Sequence, residues 1–273
     1  TPETSGWLQP GFDWGRIPGT TAIHLPVEQL KANVLNVDVF SGFEEMLYSD
    51  EDFAGGLSHH KKDGLFAMKL HEHDKYNGSH RARKSYHFFN DRIICLGSDI
   101  ENTNADYNTE TTVLQITGKD ASFTNYWNKL KVKDQFYIDQ LGTGYYIPTV
   151  EGNHLVVEKN FPQNSRFQNS GKESQGNWVN LVLSHGKAPK NGSYEYVVLP
   201  QTQYKLGQAK QVAATYEVLQ KDRNVHIVKD NLTNTTSFAF FETPSKLPSN
   251  IIQQVDTTCL MMVQELDNQL DLT

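Results

Sequence analysis

The chain has 273 residues, 37% of them hydrophobic, with a net charge of −7 and a mean hydropathy of −0.57. That length accommodates one large all-β domain or two small ones. The acidic balance argues against a nucleic-acid binder, and no apolar run approaches the roughly 18 residues that would span a membrane.

In chain order, residues 1–26 read as an entry loop rich in Trp, Pro and Gly, closing on a strand at Thr20-Thr21-Ala22-Ile23. Val27 to Asn33 suits one helical turn. Gly55-Gly56 is expected to let the backbone run close to a neighbour or bend sharply ahead of a strand from Leu65 to Leu70. His71 to Arg83 reads as a polar loop. The clearest local signal is a hairpin, Ser85–Phe89 and Arg92–Leu96 around Asn90-Asp91, followed by a polar loop and a third strand, Val113–Ile116, of the same sheet.

Further along, Asn125 to Lys131 reads as a loop or short strand, and Gln135–Asp139 pairs with Gly144–Pro148. His154–Glu158 is a strand, Asn160 to Gly176 a polar linker, and Trp178–Ser184 pairs with Tyr194–Leu199. Leu206 to Ala214 is the one helix with convincing spacing. Short strands follow at Tyr216–Leu219, Val225–Val228, Ser237–Phe241 and Thr257–Glu265, and Leu270-Asp271-Leu272 begins a return partner. A start at Thr1-Pro2-Glu3 and an end inside a hairpin read as a piece of a longer protein. Many short strands with almost no helix point to an all-β sandwich of antiparallel sheets. The domain division expected is 1–250 for the sandwich, with 251–273 its last strands or the start of a further β domain. Cys95 and Cys259, each in an apolar run, read as free buried thiols ahead of a disulfide.

Several segments together resemble polysaccharide lyase family 8, and within it the chondroitin sulfate ABC lyases. They are Asp13-Trp14-Gly15-Arg16-Ile17-Pro18-Gly19-Thr20-Thr21, Phe53-Ala54-Gly55-Gly56-Leu57-Ser58, the hairpin with Leu96-Gly97-Ser98, and Glu110-Thr111-Thr112. Ser193-Tyr194-Glu195-Tyr196-Val197 after His185-Gly186, and Val225-His226-Ile227-Val228, complete the set. The resemblance implies an antiparallel β-supersandwich of galactose-mutarotase type, placed between an upstream α-helical toroid and a downstream β domain of one parent chain. It implies cleavage of uronic-acid-containing glycosaminoglycans by β-elimination, in which a base removes the C5 proton and an acid protonates the leaving oxygen. The family's His, Tyr and Arg belong to the toroid and its Glu to the junction upstream of Thr1, so no catalytic residue is assigned to this chain. Secretion or a periplasmic location follows from the same resemblance, and a divalent cation belongs to the parent enzyme if anywhere.

A polyanionic substrate calls for cationic and aromatic groups at one edge. The substrate-binding candidates are His59, His60, Lys61 and Lys62 after the Gly-Gly pair, with Trp14 and Arg16. Against them stand a solvated basic turn for the first four, and a core Trp with Arg16 pinning its loop for the other two. Arg81, Arg83 and Lys84 form a second basic run, for which a solvated face is the plainer explanation. His71-Glu72-His73-Asp74 has metal-ligand residue types, but neighbours on a strand alternate sides, so no metal ligands are assigned. His24, His87 and His226 sit in apolar runs as hydrogen-bonded structural histidines. Asn77, Asn191, Asn231 and Asn234 fit the glycosylation pattern but read better as turn residues. The alternative function is a non-catalytic carbohydrate-binding sandwich.

Overall fold

The computed structural model describes residues 10–29, 51–72, 78–118, 120–131, 134–166, 173–244, 246–267 and 269–273. Its strands are Thr21–Ile23 (β1), Ala54–His59 (β2), Asp63–His71 (β3), Arg81–Phe89 (β4), Arg92–Glu101 (β5), Asn108–Thr117 (β6), Phe136–Ile138 (β7) and Gly144–Tyr146 (β8). They continue as Leu155–Arg166 (β9), Glu173–Lys187 (β10), Gly192–Leu199 (β11), Tyr216–Lys221 (β12), Val225–Asp230 (β13), Thr235–Phe240 (β14), Cys259–Leu266 (β15) and Gln269–Leu272 (β16). Among the described residues there are also two helices, Ala121–Lys129 (α1) and Ala209–Ala213 (α2), and a 3-10 turn at Val27–Gln29.

The strands form three antiparallel sheets, ordered β1-β6-β10-β9, β2-β3-β4-β5-β11-β8-β7 and β12-β13-β14-β15-β16. The seven-stranded sheet is the middle layer, because its strands are apolar on both faces. Cys95, Tyr194 and Tyr196 face one core, shared with Leu114 of β6, Leu181 of β10 and Trp127 of α1. Ile94, Leu96 and Val197 alternate to the other face, against Val228, Ala239 and Met262 of the third sheet. Period-two alternation with apolar residues at both phases is what a doubly covered sheet requires. Burying Ile94 and Leu96, both 0% exposed, contributes roughly 1.5–3 kcal/mol each. A third cluster, with Val225, Ile227 and Phe240, lies on the other face of the third sheet under Leu247, Ile251 and Val255.

The expected hairpin is present as β4–β5, paired Phe89 to Arg92 across a turn in which Asn90 takes φ 46. The Gln135–Pro148 hairpin is β7–β8, and Val225–Val228 and Ser237–Phe241 pair in β13–β14. Asn191 and Asn234 have positive φ, in keeping with turn positions, while Asn77 lies outside the described residues. Cys95 is free and buried; Cys259 is free and partly buried.

Several expectations are corrected. The third strand does not join the hairpin's sheet: β6 crosses to the first sheet and pairs with β1 and β10. Trp178–Ser184 and Tyr194–Leu199 are likewise in different sheets, β10 pairing with β9 and β11 with β5. Much of the supposed linker is strand, since β9 runs to Arg166 and β10 starts at Glu173. Asn125–Lys129 is helical, in α1, where the Asp120 carboxylate accepts from Phe123 N at 2.8 Å and caps the first turn. The helix expected over Leu206–Ala214 shrinks to Ala209–Ala213. Gly55-Gly56 makes no bend; both glycines lie within β2, in register with Ala67 and Phe66. Beyond Gln29 the expected turn to Asn33 lies outside the described residues. In the third sheet Phe240 of β14 stands opposite Cys259 of β15.

Candidate functional site

The loop at residues 10–20 has no regular structure of its own and is fastened by partners far away in sequence. Gly11 N donates to Ser174 Oγ at 3.0 Å, and Trp178 Nε1 donates to Pro10 O at 2.8 Å. Gln115 supports the middle of the loop, accepting from Asp13 N at 2.8 Å and donating to Arg16 O at 2.6 Å. Gly11 has φ 85, and a Cβ there would stand 2.6 Å from Gly176 N. Only glycine fits that position. At the loop's end, Gly19 O accepts from both Lys84 Nζ at 2.5 Å and Tyr86 Oη at 3.2 Å.

Arg16 sits at the centre of this loop, 5% exposed. Its Nε donates to Glu110 of β6 at 2.9 Å, and its Nη2 donates to Glu158 of β9 at 3.0 Å. Burial alone would depress the guanidinium's pKa, but the bonds to Glu158 and Glu110 outweigh it and raise it. Beside it, His24 Nε2 donates to Asp13 at 2.8 Å. That bond raises the His24 pKa against the opposing effect of burial. Asp13 is lowered: burial pushes it up, but the bond and charge of His24 prevail.

Trp14 and His24 line an open cleft of about 810 Å³, with Asn164, Ser165 and Gln175 across from them. Among the described residues its lining holds the carboxylates of Asp13, Glu28 and Glu173 and no Lys or Arg. Those residues offer an aromatic surface, amides and an imidazole inclined to carry charge. None of His59 to Lys62 lines it.

Those four residues lie at the β2–β3 turn, on the edge of the middle sheet. His59 is 1% exposed, while His60, Lys61 and Lys62 are exposed. The turn is made by His60 and Lys61, with φ 51 and 59, and Lys62 N bonds back to His59 O. The structure thus brings Trp14 and Arg16 together on the first sheet and leaves His59 to Lys62 on another.

The basic run at 81–84 is not a solvated face. Arg83 is buried against Asp99 and Glu242, and Lys84 is 4% exposed with a pKa lowered to about 8 by burial. Arg81 meets Glu101 at 3.0 Å. His71 donates to Gly78 O at 2.8 Å, and His73 and Asp74 lie outside the described residues. His87 and His226 are both fully buried and joined through Ser85, as structural histidines should be.

Sequence reasoning missed Glu110, Glu158 and Asp13 as the partners that fix this loop. Two of them stand inside segments already singled out, Asp13 beside Trp14 and Glu110 before Thr111. An acidic residue on a strand otherwise apolar was the available signal, since a buried carboxylate demands a cation.

Comparisons with known proteins agree with this architecture. Residues 5–211 match the family model described as polysaccharide lyase family 8, super-sandwich domain. The chain is 58% identical over 97% of its length to a chondroitin sulfate ABC exolyase of Bacteroides thetaiotaomicron, and 36% identical over 98% to one of Proteus vulgaris. It spans 26% and 27% of those relatives, about a quarter of each. A solved chondroitinase AC lyase superposes over 96% of this chain and 38% of its own with a TM-score of 0.70 at 25% identity. A Paenibacillus xanthan lyase shares the fold with a TM-score of 0.67 at 20% identity. On the family match and on these identities, the chain belongs to polysaccharide lyase family 8, of which it forms the super-sandwich domain.

Proposed function

We propose that this domain walls one side of the substrate cleft in a chondroitin and dermatan sulfate lyase that cleaves by β-elimination. The observation that carries the reading is the 58% identity, over nearly the whole chain, to a chondroitin sulfate ABC exolyase. In this reading the proton-transfer groups come from an upstream α-toroid and not from these residues, and a β domain follows downstream. The Trp14 indole offers a flat apolar face to a sugar ring. Arg16 is a positioning residue, because both of its sides are taken by carboxylates. Lys61 and Lys62 supply an exposed cationic rim for sulfate groups, His60 adds an exposed imidazole beside them, and the buried His59 supports their turn. The enzyme acts on extracellular polysaccharide, which requires secretion or a periplasmic location.

The test compares the complete polypeptide with residues 1–273 alone on chondroitin sulfate, following ultraviolet absorbance of the unsaturated uronate. Turnover by the complete polypeptide only is expected, with Trp14→Ala raising KM more than it lowers kcat. Turnover by residues 1–273 alone would overturn the assignment of the chemistry to the toroid. Saturable binding by this segment, with no turnover by the complete chain, would support a carbohydrate-binding module instead.

A further inference from the structure

The β2–β3 turn packs against the β15–β16 hairpin through side chains that a simple loop does not need. His59 Nδ1 hydrogen bonds with Thr273 Oγ1 at 2.9 Å, and His60 Nε2 meets Asp271 Oδ2 at 2.9 Å. The two imidazole rings lie 4.1 Å apart between centroids. His59 is 1% exposed, yet its Nε2 is buried without a hydrogen-bond partner. Folded chains ordinarily avoid such an orphan. The turn itself holds His60 and Lys61 in left-handed backbone, where Asn-Gly is the common choice. That strain is maintained at a place where it brings two imidazoles and a carboxylate together.

We propose that His59, His60 and Asp271 form a binding site for a divalent transition-metal ion of the Zn2+ class. Each residue offers one ligand atom, and the three atoms lie within 4.8 Å of one another. Tetrahedral bonds of about 2.0–2.1 Å set ligand atoms about 3.3 Å apart. His60, whose side chain is 53% exposed, has the freedom to close that difference, whereas His59 is held. With Nδ1–H donating to the Thr273 hydroxyl, the His59 lone pair sits on Nε2, the nitrogen that nothing else uses. Two imidazoles and one carboxylate suit Zn2+ and its neighbours, while Ca2+ and Mg2+ prefer all-oxygen sets. The three protein ligands leave a fourth position for water or an exogenous anion.

The place of the site gives the ion a task. His59 and His60 belong to the edge of the middle sheet and Asp271 to the edge strand of the third, so one ion would clip two layers together. The alternative is a bare His60–Asp271 surface pair, which binds no metal and contributes little.

The experiment uses the complete polypeptide, stripped with a chelator and then kept in excess Ca2+ and Mg2+ so that oxygen-ligand sites are filled. Zn2+ uptake is measured by equilibrium dialysis, and Co2+ is substituted to read visible absorption. Wild type is expected to take up one more equivalent of Zn2+ than His60→Ala or Asp271→Asn, and to give tetrahedral Co2+ bands that both variants lose. Both side chains reach solvent, so the variants keep the wild-type far-ultraviolet circular dichroism. No Zn2+ uptake by wild type, or equal uptake by wild type and either variant, would overturn the site.

Discussion

Arg16 and Glu110, 94 residues apart in sequence, share a buried hydrogen bond of 2.9 Å that joins the cleft loop to β6. Removing one member of such a pair leaves the other charge buried and alone, at a cost of about 3–5 kcal/mol. Arg16→Ala is expected to lose about 3 kcal/mol, the low end, because Glu158 is partly exposed and can rehydrate. Urea denaturation measures the loss. In the complete polypeptide the same variant should lower kcat/KM, since Trp14 shares the freed loop. An unchanged urea midpoint would show that the clamp contributes nothing to folding.

The Asp13–His24 pair predicts a pH window for the loop. His24 is raised in the fold, so its contribution is complete below the unfolded value of 6.5 and is lost as pH rises through the folded pKa. Asp13 is lowered, so its contribution is complete above 3.8 and is lost as pH falls through the folded pKa. The pair is therefore at full strength between about pH 4 and 6.5. His24→Gln is expected to remove the alkaline loss, about 1 kcal/mol or less for so accessible a pair. Nuclear magnetic resonance titration of His24, with urea midpoints from pH 5 to 8, checks both parts.

Lys84 should give the opposite alkaline trend. Its folded pKa, lowered to about 8 from 10.5 by burial, means the unfolded chain holds an extra proton between those values. Stability attributable to Lys84 therefore rises with pH from about 8 toward 10, by about 3 kcal/mol at most. Lys84→Met is expected to flatten that rise. It also removes one donor from Gly19 O and leaves Tyr86 Oη as the other. A rise that persists in the variant would place its origin elsewhere.

Ser85 joins His87 Nε2 at 2.8 Å and His226 Nδ1 at 2.7 Å, deep between the middle and third sheets. Ser85→Ala leaves one buried nitrogen of each imidazole without a partner, His87 keeping Ser237 and His226 keeping Ser98, and is expected to cost about 2–4 kcal/mol. Burial lowers His87 to about 3, and His226 well below its ordinary value. Both are neutral in the fold, so their contribution is complete above pH 6.5 and falls with acid. Each removes about 1.4 kcal/mol per pH unit below 6.5 until its folded pKa is reached. Replacing one, as in His226→Gln, should reduce the acid slope of the unfolding free energy measured in urea by that amount.

Local features were legible in the sequence and distant partnerships were not. The β4–β5 hairpin announces itself because Asn90-Asp91 interrupts two apolar runs. Nothing within Val113–Ile116 says that its neighbour is Val179–Leu181 rather than Ile93–Leu96, since all are largely apolar strands with the same period. Helix α1 escaped because Asn, Tyr and Trp are indifferent helix formers, although Asp120 as a cap with Phe123 and Trp127 one turn apart was there to read. The Trp14–Thr21 motif singled out the loop beside the cleft. Its anchors lie some 65 to 142 residues downstream and carry no local pattern.

That distance bears on the order in which the protein can take shape as it is made. Pro10, Gly11 and Phe12 leave the ribosome well before their partners, since their bonds go to Trp178, Ser174, Gln163 and Ser165. The cleft-side loop must stay open through the synthesis of more than half of the chain. Closing so long a span is slow and entropically costly. Made well ahead of its anchors, it settles only once they exist, and truncations before β10 should leave it exposed to proteases.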